Sequence, residues 1–134
     1  MLKKALCLVS LLVFVSAPQA ADYEGSRKCR MCHKDEYEQW QNSPHALAFS
    51  DSFQEIWKEL DSDPACLACH VTGSDTELGT FSYPGVTCES CHGKMSKGHN
   101  KKDAEMPLPV TSDVCRDCHT KTYQEWKLSQ HGQN

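Results

Sequence analysis

Three stretches of the chain alternate apolar and polar positions strongly enough to predict structure. Behind Met1, Leu2, Lys3 and Lys4, Ala5 to Val15 are largely apolar and small residues follow from Ala17 to Ala21. That order resembles a cleaved secretory leader over residues 1–20, and the apolar run is too short to span a bilayer. A retained membrane anchor is the competing reading. Further on, Ala46, Phe49, Phe53, Ile56/Trp57 and Leu60 recur at three- and four-residue spacing, which predicts an amphipathic helix over residues 46–62, closed by Pro64. Lys34 to Ser43 and Thr120 to Ser129 also read as helices, with Tyr37/Trp40 and Tyr123/Trp126 three apart. Between His70 and Cys88, Gly79, Pro84 and Gly85 permit a short hairpin at most. Residues 93–114, with Pro107 and Pro109 as breakers, read as an open loop carrying Lys94, Lys97, Lys101 and Lys102. The fold class is therefore mainly α with little regular β, in one domain over residues 21–134.

Composition changes that picture in one respect. Large aliphatic residues are scarce after residue 20, so side chains alone would make a thin core. Charge excludes a class of partner: without Lys3 and Lys4 the chain holds 12 basic against 18 acidic residues, and a nucleic-acid partner would call for a basic face. The loop lysines are read as solvated surface, with docking of an acidic partner as the lesser reading.

The cysteines set the chemistry. Apart from Cys7, inside the leader, all of them stand in Cys-x-x-Cys-His motifs: Cys29, Cys32 and His33; Cys66, Cys69 and His70; Cys88, Cys91 and His92; Cys115, Cys118 and His119. This is the attachment signature of haem c, in which two thioethers hold the porphyrin edge and the histidine is the proximal iron ligand. Residues three and four apart share a helix face, so one turn can present both sulfurs and the imidazole together. A disulfide scaffold or zinc sites compete, yet neither requires histidine after every second cysteine. Four covalently attached haems would supply the missing apolar bulk, and packed this densely they must nearly touch.

Three histidines remain, His45, His99 and His131, and each is a candidate second axial ligand. Two belong to a duplication. CRMCHKDEYEQWQNSPH (29–45) and CRDCHTKTYQEWKLSQH (115–131) agree at eight of seventeen positions, and in both a second histidine follows the first by twelve residues. Were residues 33 to 45 helical, the two imidazoles would stand about 18 Å apart, whereas two ligands of one iron lie only about 4 Å apart. His45 must therefore cap a haem other than the one anchored by its own motif, and so must His131.

The order of CRMCHK with Trp40, His45 and Ala46, then CLACHVTG, then GVTCESCHG with a later histidine, then a fourth motif, resembles the tetrahaem cytochrome c family (cytochrome c-554-like) that takes electrons from hydroxylamine oxidoreductase. The likeness runs from about Gly25 to His119 and is most specific at Gly85 to Gly93. It implies that His45 is distal ligand to the third haem, opposite His92, and His99 to the first, opposite His33. It also implies a five-coordinate second haem at His70, and haems packed in alternating parallel and perpendicular pairs. The internal symmetry then suggests His131 for the second haem, leaving the fourth five-coordinate, with Met95 or Met106, or with a ligand from another molecule. Lys94 stands where the family usually has proline.

The function expected is an exported, periplasmic or cell-surface electron carrier between an upstream donor and a downstream acceptor, with no stable membrane span once the leader is cut. The alternative is a reductase acting on a small nitrogen oxide or peroxide at a five-coordinate haem. Glu89, Asp113 and Asp117 lie near motifs but are read as solvated surface, so no catalytic constellation is assigned. A third reading is an oligomer joined by interchain haem ligation.

Overall fold

The computed structural model describes residues 23–95, His99 and residues 110–133. Its α-helices are α1 (Ser26–Cys29), α2 (Lys34–Gln41), α3 (Asp51–Glu59), α4 (Leu67–His70), α5 (Cys88–His92) and α6 (Thr120–Leu128). One antiparallel pair, β1 (Val71–Thr72) with β2 (Tyr83–Pro84), closes the short hairpin, with a further bridge between Asp75 and Thr80. Three turns of 3-10 helix, at Pro64–Cys66, Ser112–Cys115 and Gln130–Gly132, complete the regular structure. The leader, Lys97, Lys101, Lys102, Met106, Pro107 and Pro109 fall outside the described residues.

The helix expected over residues 46–62 is shorter at both ends. Ser50 has an extended backbone and stands before α3, while residues 43–49 form turns of their own, with Leu47 N donating to Ser43 O (3.3 Å) and Ala48 N to His45 O (3.2 Å). Asp51 in the first turn of α3 and Lys58 in the last complement the helix dipole. The helix ends at Glu59, not at Pro64. Asp61 (φ 53°) and Ser62 (φ 54°) turn into the left-handed region, with Ser62 N on Trp57 O (2.9 Å) and the Trp57 indole on Asp63 O (2.7 Å). Pro64 instead opens the next 3-10 turn, a position where its missing N–H is not needed. The apolar stripe divides as well. Phe53 and Trp57 join Phe49 and Phe81 in an aromatic cluster, Phe49 to Phe81 at 5.0 Å, while Ile56 and Leu60 are exposed.

Few apolar side chains are buried. Among the described residues these are Leu67, Val71 and Tyr123, beside the buried polar residues Ser26, Thr72, Thr87 and Glu89. A domain of this size needs more apolar burial than that to be stable. The fold is held instead around residues 85–90. Thr72, 1 % exposed, donates from Oγ1 to Gly85 O (2.9 Å), accepts from Thr87 N (2.9 Å), and has the Thr87 and Ser90 hydroxyls at 3.0 and 2.7 Å. On the other side, Val86 N donates to His45 O (2.9 Å) and the Trp40 indole donates to Val86 O (2.8 Å). The strand after the second motif, the approach to the third, and the turn carrying His45 thus meet at one place.

Gly85 permits that meeting. Its φ is +76°, and a Cβ there would stand 2.6 Å from Ala46 O. Gly85→Ala therefore combines a left-handed alanine with a clash against backbone, and should cost about 2 kcal/mol. Guanidinium denaturation followed by far-UV circular dichroism would show the midpoint falling; an unchanged midpoint would mean the close approach is not needed.

Candidate haem-binding site

Each Cys-x-x-Cys-His motif forms a helical turn. In the first and fourth the histidine N–H closes the turn onto the first cysteine's carbonyl, His33 N to Cys29 O and His119 N to Cys115 O, both 2.9 Å. In the second, Cys66 ends a 3-10 turn and Cys69 and His70 lie in α4; in the third the whole motif is α5. The duplicated copies share backbone conformation. His33 (φ −110°, ψ 63°) and His119 (φ −106°, ψ 47°) each stand at the start of the following helix, α2 or α6.

The motifs meet in pairs. Cys29 lies within hydrogen-bonding reach of Cys88, and burial together with that neighbour pushes the Cys29 thiol up to about 11. Cys118 stands likewise against Cys69, and burial with this contact raises it to about 11. Cys91 is raised by burial, then by Cys115 and Cys88. First is thus beside third and second beside fourth, with the third and fourth joining the two pairs.

Two pairs of imidazoles face each other. His33 and His99 have ring centroids 6.3 Å apart, and His45 and His119 are at 5.9 Å. Two imidazoles on opposite sides of one iron, with metal–nitrogen bonds near 2 Å, put their ring centres about 6 Å apart. The Nδ1 atom of His99 is buried and has no hydrogen-bond partner among the described residues. His33, His92 and His99 line one largely apolar cavity of about 200 Å³ with Cys29, Cys88 and Met95. Donor set, spacing and apolar walls fit haem c.

The two sulfurs of the first motif lie at different depths. Cys29 lines that cavity, whereas Cys32 is exposed and lies outside its lining. The cause is where the helix stops. It is α1 that packs against α5, and α1 ends at Cys29, so the contact with Cys88 reaches the first cysteine of the motif. Cys32 comes after that contact, on a separate turn closed by its own N–H on Cys29 O (3.1 Å).

The pairing of imidazoles differs from the one the family resemblance implied. His45 faces His119 of the fourth motif, not His92 of the third. The cause lies in the hydrogen bonds from Trp40 and Val86, which hold the turn after α2 on the approach to α5. That His45 leaves its own motif agrees with the distance argument, although α2 ends at Gln41 and the intervening path is a turn. The fourth motif, like the first, is consequently given a second imidazole. His131 sits exposed on the last 3-10 turn, and no aromatic ring lies against it or against His92 among the described residues.

His70 is positioned differently. Its Nδ1 lies 2.6 Å from Ala48 O, and because a carbonyl only accepts, Nδ1 carries the proton and Nε2 is left for a metal. Phe53 stacks on the same ring, 3.8 Å between centroids and 12° between planes. The turn that carries His45 thus also orients His70.

Contrary to the sequence reading of solvated surface, the acidic residues near the motifs are not all solvated. Glu89 is 5 % exposed and accepts from three backbone amides. Asp113 accepts from the hydroxyl of buried Tyr123, and that bond raises the phenol above its ordinary range. Asp117 is exposed beside Arg116. Spacing alone could not single out Glu89; only its place between Cys88 and Cys91 hinted at it. Lys94 lies over the Tyr23 ring at 4.9 Å. Among the described residues no group of three His, Cys, Asp or Glu is placed to hold a bare metal ion, and the eight cysteines are unpaired thiols.

Turns that present two thiols and an imidazole together, wrapped by a mainly helical chain with little peptide core, define a c-type cytochrome. The model of the family described as cytochrome c554 and c-prime matches residues 28–93 and 114–134, and the chain belongs to that family. Membership in this family makes it a c-type cytochrome with covalently bound haem c. A similar curated protein is cytochrome c-554 of Nitrosomonas europaea, 32 % identical over 121 residues that cover 75 % of this chain and 52 % of that protein. The chain spans about half the length of this relative. No solved structure matches it.

Proposed function

We propose that the chain is exported, binds four haem c groups, one at each motif, and relays electrons between periplasmic or cell-surface redox partners. When bound, haem supplies iron that changes oxidation state by one electron. The polypeptide anchors it through Cys29 and Cys32, Cys66 and Cys69, Cys88 and Cys91, and Cys115 and Cys118, with His33, His70, His92 and His119 as proximal ligands. His99 is assigned as distal ligand at the first site and His45 at the fourth; His131 remains available for a further site. The observation that carries this reading is the spacing of the tilted rings, 6.3 Å between the centroids of His33 and His99 and 5.9 Å between those of His45 and His119. Imidazole on both sides of iron favours low potentials, as a carrier of low-potential electrons requires. The contacts between first and third and between second and fourth motifs, joined by the approach of Cys91 to Cys115, support a continuous path through the molecule. Among the described residues no helix is long and apolar enough to cross a membrane.

His70 and His92 have no second imidazole against them among the described residues, which supports a second reading: reduction of a small nitrogen oxide or peroxide at an iron with a free position. Electron paramagnetic resonance of the oxidised protein separates the two. The carrier reading expects low-spin signals from at least the two histidine-paired haems; a wholly high-spin spectrum would overturn the ligand assignments. Nitrite or hydroxylamine turnover with a reduced dye would establish the reductase.

A further inference from the structure

Glu89 lies between the cysteines of the third motif, yet its carboxylate serves the surroundings of the first. Oε2 accepts from Gly25 N (2.8 Å) and Glu24 N (3.0 Å), and Oε1 accepts from Glu24 N (3.1 Å) and Met95 N (3.1 Å). Both oxygens face donors only, so the group acts throughout as acceptor. Hydrogen bonds to a charged acceptor are stronger than neutral ones, and these are sheltered from water by burial.

Residues held from the two sides have different tasks. Gly25, φ +78° and packed against the Tyr83 ring, immediately precedes α1, whose last residue is Cys29. Met95 stands four residues before His99. Glu89 and Met95 line the same cavity as His33 and His99. One carboxylate therefore ties the entry to the turn bearing the proximal histidine and the exit toward the distal one to a single helix, α5.

We propose that Glu89 is a positioning residue for distal ligation of the first haem: it holds Met95, four residues before His99, in register with the turn that carries His33. This rests on the proposed pairing of His33 with His99. It implies that ligation at the first site is set from the third motif, so the two sites are mechanically coupled as well as adjacent.

The test uses the full haem-loaded protein and exogenous imidazole, which must displace His99 to bind at the first site. His99→Ala first identifies the spectral change belonging to that site. Glu89→Gln keeps the size of the side chain but turns an NH2 group toward a backbone donor. It should raise the apparent imidazole affinity at that site roughly tenfold, the effect of losing about one charged hydrogen bond. Met95→Pro, which removes one N–H donor without touching Glu89, should act in the same direction and replaces the first variant if Glu89→Gln does not fold. If His99→Ala leaves the low-spin population intact, the pairing itself fails. If His99→Ala opens the site but the haem-loaded Glu89→Gln protein, or Met95→Pro in its place, binds imidazole as the parent does, the pairing stands and the role of Glu89 is overturned.

Discussion

Replacing His45 with alanine should convert one haem, the one held by Cys115, Cys118 and His119, from low-spin to high-spin, with the other sites unaltered. The reason is the 5.9 Å separation of the His45 and His119 rings, which leaves room for one iron between them. No other imidazole is paired with His119 among the described residues. Added imidazole should restore the low-spin state, and the site's reduction potential should move while His45 is absent. Electron paramagnetic resonance of His45→Ala alone and combined with His119→Ala, which leaves the fourth haem without its proximal imidazole, decides which haem responds. If the spin change of His45→Ala persists undiminished in a protein whose fourth site has already been altered, His45 caps another haem, the third being the one that family resemblance would favour.

Thr72→Val should lower stability by about 3 kcal/mol without changing which haems are low-spin. Valine matches threonine in shape but removes the hydroxyl that four polar groups share, including the Thr87 N–H and the Gly85 carbonyl. At 1 % exposure water cannot replace it, and each buried group left unpaired costs about 1–3 kcal/mol, partly offset where Ser90 and Thr87 bond each other. Denaturation in guanidinium, read by circular dichroism in the peptide region, should show the full loss. A change below about 0.5 kcal/mol would show that the hub is not what joins the second motif to the third.

The haem motifs were legible because their chemistry fixes both residue type and spacing, and a helical turn is the local structure that spacing demands. Spacing does not show how deep each sulfur lies, and Cys32 is exposed where Cys29 meets Cys88. The duplicated helices were legible too, with Lys34–Gln41 and Thr120–Leu128 ending close to where their patterns end. The stripe from Ala46 to Leu60 misled because apolar periodicity cannot show that Ser50 starts the helix, or that Asp61 and Ser62 turn left-handed before Pro64. Partner choice among imidazoles was the least legible. His45 could be sent away from His33 by distance, but its destination depends on hydrogen bonds that Val86 makes with Trp40 and His45, far earlier in the chain. Glu89 was hidden for a related reason: its partners at residues 24, 25 and 95 carry no side-chain signal, because they bind through backbone N–H groups.

This polypeptide is, on the reading proposed, a thin shell organised around one covalently bound haem per motif. A pyridine haemochrome assay of the purified exported protein, set against its concentration from amino-acid analysis, tests that directly. The account predicts a stoichiometry of four per chain; a value of three or below in fully processed protein would contradict it.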